Sequence, residues 1–225
     1  YCNDDPLMAK MLENVYRSVN IAMVNELKMF FNKIKIDIHE VIKLAGTKPF
    51  GFTKFLPGPG FGGHCIPLDP FYLYWLGKKN NFHLKFIKSS GEINDRITNW
   101  IVKKILNFLK KNKINFSHKK ILILGVAYKK DINDLRESPG LKIAAKLKKN
   151  GYDFEYSDPY FKKINFGGRV KKNIKIDKKN LKKYPAVLLT TDHTLFNYKL
   201  IEKDAKFLFD TRNKFKIRTK NLIKL

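Results

Sequence analysis

Residues 119–127 read Lys-Lys-Ile-Leu-Ile-Leu-Gly-Val-Ala, an apolar run of the kind that a buried parallel β-strand requires. An amphipathic helix ending near Lys149 follows, and a second strand is predicted over 152–157. Two more short apolar runs, 186–190 and 207–209, each lead into a polar turn. This order predicts a Rossmann-like α/β domain with a parallel sheet, in which ligands bind at the carboxyl ends of the strands. The glycine pattern typical of a dinucleotide site is absent from this half of the sequence.

A glycine-rich loop lies upstream of that domain. Residues 57–70 read Pro-Gly-Pro-Gly-Phe-Gly-Gly-His-Cys-Ile-Pro-Leu-Asp-Pro, and glycine lets a backbone approach a ligand closely. Cys65 precedes a predicted helix, whose N-terminal amide groups and dipole favour a thiolate. Two simpler interpretations stay open. A lone cysteine is often a small buried apolar residue, and Asp69 with Pro70 suits the N-cap and first turn of a helix over 70–76.

A long amphipathic helix is predicted near the N-terminus. Its apolar residues recur every three to four positions and predict one buried face: Leu12, Val15, Val19, Met23, Leu27 and Phe30. Lys10 and Asn14 stand four positions apart, so they share a helix face and can reach one ligand. The alternative is that they are ordinary surface residues. A second long amphipathic helix is predicted over 93–111.

The composition predicts a globular protein of two domains, which we place at 1–114 and 115–225. The 225 residues include 46 basic and 20 acidic ones, for a net charge of +26, which raises nucleic-acid binding as an alternative. However, 40 of the basic residues are scattered lysines and only 6 are arginines, the residue that base reading and phosphate clamping favour. We therefore expect no nucleic-acid partner.

Hydropathy and cysteine usage indicate a cytoplasmic location. No apolar run approaches the roughly 20 residues of a membrane span, and no secretion signal is recognised. Two cysteines far apart, Cys2 and Cys65, provide no disulfide framework, which fits a reducing compartment. We expect neither a membrane partner nor a bound metal.

Three segments resemble one family. The loop 60–65 with Asp69, the helix 10–27 and the segment 119–139 are similar to the UDP-glucose/GDP-mannose dehydrogenase family of nucleotide-sugar dehydrogenases. The flanking residues 47–52 and 70–73 look most like the bacterial branch that oxidises UDP-N-acetylhexosamines such as UDP-N-acetylglucosamine. Pro49 stands where UDP-glucose-oxidising members place an arginine, which agrees with that branch.

The resemblance implies an activity and a role for each matching residue. The family oxidises the C6 hydroxyl of a UDP-sugar to a carboxylate with two NAD molecules, here for surface polysaccharide synthesis. Cys65 is then the nucleophile of a thiohemiacetal and a thioester, Lys10 and Asn14 stabilise the oxyanion, and Asp69 serves as a base or positions water. Arg136 faces the cofactor. The residues expected to bind the UDP-sugar are Leu56, Pro57, Gly58, Pro59, Gly60, Phe61, Gly62, Tyr128, Lys129 and Arg212.

The resemblance covers a helical central domain and a Rossmann-like UDP-binding domain. The family's N-terminal NAD-binding domain has no counterpart in these 225 residues. We therefore expect a truncated dehydrogenase, weak or inactive alone, for which a separate N-terminal Rossmann chain is a candidate partner. Residues 17–31 match the family's dimer core, which implies a homodimer. The alternative is a UDP-sugar-binding or dimerisation module without chemistry.

Overall fold

In a computed structural model, the structure describes residues 5–114, 120–216 and 220–225. It divides into two compact units, up to Ile97 and from Thr98 onward. The elements of these residues, in chain order, are α1 (Asp5–Lys33), α2 (Ile38–Ala45), α3 (Cys65–Lys79), α4 (Lys85–Lys111), β1 (Lys120–Leu124), α5 (Pro139–Lys149), β2 (Asp153–Ser157), β3 (Lys163–Phe166), β4 (Arg169–Lys172), α6 (Lys178–Lys183), β5 (Val187–Leu189), α7 (Tyr198–Asp204), β6 (Leu208–Asp210) and β7 (Leu222–Lys224). The division lies inside α4, and the domain ranges 1–114 and 115–225 remain a prediction.

The first unit is helical, as predicted, but the predicted apolar face of α1 is not the face that is buried within this chain. Leu12, Met23 and Phe30 are 67%, 46% and 53% exposed. Val15, Val19 and Leu27 are only half-buried. The buried residues form a different stripe of the same helix: Met11, Asn14, Ser18, Ala22, Val24, Asn25, Lys28 and Met29.

Long-range hydrogen bonds explain why polar residues of α1 face inward. Ser18 Oγ lies 3.0 Å from Ser90 Oγ on α4, and Asn25 Oδ1 accepts the Gly58 N–H at 2.9 Å. Burial of a polar side chain costs little when it is hydrogen-bonded. A pattern that scores only apolar residues therefore does not find the stripe of α1 that is buried within the chain's own fold.

Helix α3 begins earlier than predicted. It starts at Cys65 rather than Pro70, so Asp69 lies inside the helix and is not its N-cap. Pro70 is a buried interior residue of α3 that has no N–H to donate to the preceding turn. Helix α4 likewise begins at Lys85, about two turns before the predicted start at 93. α3 packs against α1.

The second unit contains the predicted Rossmann-like parallel sheet. Its strand order is β2-β1-β5-β6-β7, and every neighbouring pair is parallel. Residues Ile121 to Leu124 of β1 are fully buried, as a central strand covered on both faces requires. Ser138 caps α5 by accepting the Leu141 N–H, and the cluster of Ile143, Ala144 and Leu147 forms the buried side of that helix.

Besides the short helices α6 and α7, two features of the β-structure in this unit were not predicted. β3 and β4 form an antiparallel hairpin over residues 163–172, and β7 adds a fifth strand to the sheet. Both are short and carry few fully buried side chains, so their sequence signal is weak. Among the helices that the structure describes, none is long and apolar enough to cross a membrane.

Candidate functional site

The helical unit brings three of the four predicted catalytic side chains together. Asn14 Nδ2 donates to Asp69 Oδ2 at 2.7 Å, and Lys10 Nζ lies 3.5 Å from the same oxygen. The Asp69 side chain is 18% exposed and that of Lys10 is 56% exposed, so the carboxylate is sheltered while the ammonium group still meets solvent. Lys10 and Asn14 are therefore not ordinary surface neighbours, because they converge on one carboxylate.

Cys65 is the first residue of α3, one helical turn before Asp69. The two residues stand four positions apart, so their side chains share a face of the helix. His64, the N-cap residue of α3, has a helical backbone conformation, and its side chain makes no capping hydrogen bond. The amide groups of this first turn are thus available to a negative charge at or near the half-buried thiol.

Arg17 is a residue of this cluster that sequence reasoning missed. Its Nη2 donates to Asn14 Oδ1 at 2.8 Å and lies 3.3 Å from Glu13 Oε2. With the Asn14 oxygen accepting from Arg17, the Asn14 amide nitrogen points to Asp69. The i, i+3 spacing of Asn14 and Arg17 on α1 was the available signal.

The glycine-rich loop is held by two buried asparagines that were also missed. Asn25 Oδ1 on α1 accepts the Gly58 N–H at 2.9 Å, and Asn94 Oδ1 on α4 accepts the Phe61 N–H at 2.7 Å. Gly60 has a φ of 125°, a conformation that other residues rarely adopt. The loop conformation is therefore fixed by two helices before any ligand is present.

The predicted substrate-binding residues of this loop differ in exposure. Leu56 is largely exposed and Gly60 is half-buried, whereas Pro57, Gly58, Pro59, Phe61 and Gly62 are buried. The Gly58 and Phe61 amides already donate to asparagines, and proline has no N–H. Within this stretch, the remaining amide groups are those of Leu56, Gly60 and Gly62.

In the second unit, the predicted ligand residues follow the carboxyl ends of β1 and β6. Tyr128 is half-buried, Lys129 is exposed, and Arg212 is half-buried. Arg212 Nε donates to Thr190 O at 2.7 Å, while its backbone N–H donates to Asp210 Oδ1 at 2.9 Å. Burial lowers the pKa of Arg212 from its ordinary value, and the charges of Asp192 and Asp210 oppose that shift. Arginine side chains are not deprotonated in proteins at neutral pH, so Arg212 is a cation here.

Gly125 allows the turn after β1 to lie close to the turn after β5. It has a φ of 80°, and a Cβ at this position would lie 2.3 Å from Thr191 O and 2.6 Å from Thr191 Cβ. Only glycine fits this contact between the turns that follow β1 and β5. The predicted cofactor residue Arg136 lies further along the first of these turns, exposed, with Nη2 2.7 Å from Asp134 Oδ2.

The two groups of predicted site residues belong to different units. Lys10, Asn14, Cys65, Asp69 and 56–62 lie in the first unit, whereas Tyr128, Lys129, Arg136 and Arg212 lie in the second. Among the described residues, no group of three or more His, Cys, Asp or Glu side chains is arranged to hold a metal ion.

Comparison with known proteins agrees with this architecture. The central-domain model of the UDP-glucose/GDP-mannose dehydrogenase family matches residues 7–96, and the model of its UDP binding domain matches residues 122–217. The chain therefore belongs to this family of nucleotide-sugar dehydrogenases, which are oxidoreductases. This confirms the resemblance read from the sequence.

The individual relatives act on UDP-N-acetylhexosamines according to their names. The UDP-N-acetyl-D-mannosamine dehydrogenase of Methanococcus maripaludis is 32% identical, over 92% of this chain and 47% of the relative. The UDP-N-acetyl-D-glucosamine 6-dehydrogenase of Pseudomonas aeruginosa is 34% identical, over 68% of this chain and 36% of the relative. The solved UDP-D-ManNAc dehydrogenase of Pyrococcus horikoshii superposes with a TM-score of 0.81 at 29% identity, over 96% of this chain and 50% of that one. The chain thus spans about half the length of the relatives it matches.

Proposed function

We propose that the chain takes part in NAD-dependent oxidation of the C6 hydroxyl of a UDP-N-acetylhexosamine to the uronic acid, for surface polysaccharide synthesis. The observation that carries this proposal is the cluster on α1 and α3. Asp69 accepts a hydrogen bond from Asn14 and lies 3.5 Å from the Lys10 ammonium, and Cys65 stands one turn away on the same helix. With NAD as the hydride acceptor, a thiol, a carboxylate and an oxyanion partner are the side-chain groups that the oxidation of an aldehyde to a carboxylate needs.

Cys65 performs the covalent part of the proposed reaction. Its thiolate attacks the C6 aldehyde and forms a C–S bond, so the carbonyl oxygen becomes the oxyanion of a thiohemiacetal. Lys10 and Asn14 stabilise that negative charge, because a preorganised cation and an amide donor lower the energy of a transition state most at the atom where negative charge develops. After oxidation to the thioester, water adds to the carbonyl carbon and the thiolate leaves. Asp69 accepts the proton of that water.

Hydride acceptance is the part that the described residues do not provide. NAD accepts the hydrides in this family, but the N-terminus of α5 offers it no phosphate cradle. Ser138 Oγ already caps that helix, and a Cβ at Gly140 would lie 2.8 Å from Thr190 Oγ1. The second unit therefore does not fit a dinucleotide at the place where Rossmann folds bind one. Arg136 remains the single residue that we assign to the cofactor.

The second unit supplies the proposed UDP-sugar contacts. Lys129 and Arg212 are cations at the carboxyl edge of a parallel sheet, where such folds bind ligands. Arg212 uses Nε for Thr190 O, and no described residue accepts a hydrogen bond from its two Nη groups. A pyrophosphate accepts such paired N–H groups well. Tyr128 contributes a ring and a hydroxyl beside them.

A ligand-binding experiment tests this proposal without requiring NAD. We expect UDP-N-acetylglucosamine and UDP-N-acetylmannosamine to raise the melting temperature of the 225-residue chain. Lys129→Ala should weaken binding about tenfold, because it removes a charge-assisted contact. Lys130→Ala is the matched control, since the neighbouring lysine is equally exposed. Equal loss in both variants, or no stabilisation of the unmodified chain, would contradict the proposed site.

A second experiment separates an enzyme from a binding module. NADH production is measured with UDP-N-acetylhexosamine, with and without an added N-terminal Rossmann chain. We expect NADH only when that chain is present, and no NADH from Cys65→Ser. UDP-sugar binding without NADH in either mixture would favour the non-catalytic module, for which the occupied N-terminus of α5 is the supporting observation.

We also propose a homodimer through α1. Leu12, Met23 and Phe30 form an exposed apolar stripe along this 29-residue helix. Tyr16, at 49% exposed, continues it. When apolar side chains on one face of a long helix pack against a second such face, the removal of their surface from water stabilises the dimer.

A further inference from the structure

A fully buried carboxylate ties together three strand ends at the proposed UDP-sugar edge. Asp158 follows β2, and its Oδ2 accepts the N–H groups of Val126 at 2.7 Å and Ala127 at 3.0 Å, both just after β1. The same oxygen lies 3.0 Å from His193 Nε2, beyond the end of β5. Oδ1 accepts the Tyr160 N–H at 2.9 Å. The carboxylate is therefore satisfied by donors from several segments, as a buried charge requires.

His193 is the side chain that extends this network to the next loop. It is fully buried, and its Nδ1 accepts the Asp131 N–H at 3.0 Å. Because Nδ1 accepts, the ring proton lies on Nε2, which donates to Asp158. Each ring nitrogen thus has one defined partner, so the imidazole has one tautomer and one orientation.

Asp131 is hydrogen-bonded through its backbone N–H to His193 and through its carboxylate to Thr194. Its carboxylate accepts the Thr194 N–H at 2.8 Å and the Thr194 hydroxyl. These hydrogen bonds lower the pKa of Asp131 below its ordinary value. Asp131 has a φ of 57°, a left-handed conformation that is uncommon outside glycine. Such a conformation persists where surrounding contacts fix it.

The segment fixed in this way carries the proposed ligand residues. The Tyr128 N–H donates to Asp134 O at 3.0 Å and closes a loop over 128–134, with Asp131 at its centre. Lys129 lies on that loop between Tyr128 and Asp131. The geometry points to His193 as a positioning residue of the UDP-sugar site, which anchors the 128–134 loop through the Asp131 backbone so that Tyr128 and Lys129 meet the nucleotide. This inference rests on the proposed function.

The test compares UDP binding by calorimetry in His193→Phe, His193→Gln and the unmodified chain. Phenylalanine fills the buried space but supplies neither the acceptor nor the donor. Glutamine supplies both through one amide. We expect His193→Phe to weaken UDP binding about tenfold, and His193→Gln to restore most of it. Hydrogen exchange of the amides in 128–134 should rise in His193→Phe and return toward normal in His193→Gln.

Several outcomes would overturn the inference. Unchanged UDP affinity in a folded His193→Phe chain would do so, as would equal losses in both variants. If His193→Phe does not fold, Thr194→Val decides, because it removes one tie to Asp131 at an exposed position. We expect it to weaken UDP binding about threefold, and unchanged affinity would refute the anchor. Failure of the proposed function is distinct, because the unmodified chain would then bind no UDP.

Discussion

Replacing Gly125 by alanine should destabilise the chain more than the same change at any open glycine of the second unit. Gly125 has a φ of 80°, and the new Cβ would lie 2.3 Å from Thr191 O. That oxygen belongs to a residue that is itself fixed. The Thr191 hydroxyl donates to Ala127 O at 2.6 Å, and its N–H donates to Leu124 O at 3.3 Å. The backbone therefore cannot move aside without breaking other hydrogen bonds.

The expected cost has two parts. An L-residue in the left-handed region costs about 1–2 kcal/mol relative to glycine. Forcing an extra methyl group into a packed contact costs about 1–3 kcal/mol more. We thus expect Gly125→Ala to lower the free energy of unfolding by about 2–5 kcal/mol.

Gly151 provides the matched control. It has a φ of 83°, but a Cβ there meets nothing within 4 Å. Gly151→Ala should therefore cost only the backbone part, about 1–2 kcal/mol. The measurement is urea unfolding of both variants followed by circular dichroism. If Gly125→Ala proves no more destabilising than Gly151→Ala, the close approach of the two turns does not limit stability and the reasoning is refuted.

Three further predictions concern the buried network, the glycine-rich loop and the dimer. Burial raises the pKa of Asp158, but hydrogen bonds from His193 and from two backbone amides lower it, and the net pKa lies below its ordinary value. The ionised Asp158 carboxylate therefore adds its full share to the free energy of unfolding above about pH 4, and this share is lost as the pH falls through the lowered pKa. Urea titrations should show this loss in the unmodified chain and a flatter response in Asp158→Asn, and identical slopes would contradict it. Asn94→Ala leaves the buried Phe61 N–H without its acceptor and should cost about 1–3 kcal/mol in urea unfolding, whereas Asn94→Asp keeps an acceptor and should cost less. Met23→Glu should halve the mass measured by light scattering. Asn32→Glu should not, because this exposed residue lies nine positions further on and on the opposite side of α1. A monomer before any substitution would exclude the dimer.

The parallel sheet was predictable because its signal is local. β1, β5 and β6 each contain a short apolar run, and burial on both faces makes such runs continuous. β2 is an edge strand, and its sequence Asp-Phe-Glu-Tyr-Ser alternates polar and aromatic residues. The association of Cys65 with Asp69 came from the family resemblance and not from helix spacing, because the predicted helix began only at Pro70, whereas α3 begins at Cys65.

The parts that the sequence did not reveal depend on contacts between distant residues. Ser18 and Asn25 face inward because Ser90 and Gly58 lie opposite them, 72 and 33 positions away in the chain. Nothing in their immediate neighbourhood indicates this. The sequence around His193 did not indicate its role either, because that role depends on Asp158 and Asp131, which lie 35 and 62 positions away in the chain.

The start of α3 at Cys65 was not predicted because Pro70 is typical of the first turn of a helix. Asp69 and Pro70 suggested an N-cap and a first turn, but Pro70 is a buried residue in the interior of α3. Pro67 lies in the actual first turn, where a proline sacrifices no hydrogen bond. The correction matters chemically. It places Cys65 on the helix with Asp69 instead of on a separate loop.

The proposed nucleophile Cys65 and base Asp69 therefore lie on one helix, α3, whereas the oxyanion partners Lys10 and Asn14 lie on another, α1. The gap between these pairs is set by how the two helices cross, and not by the mobility of any loop. Substitutions that alter the width of this crossing would change how large a group fits between thiol and ammonium. We accordingly expect that substitutions which change the accepted substrate occur at small side chains between α1 and α3, and not at the residues that touch the sugar.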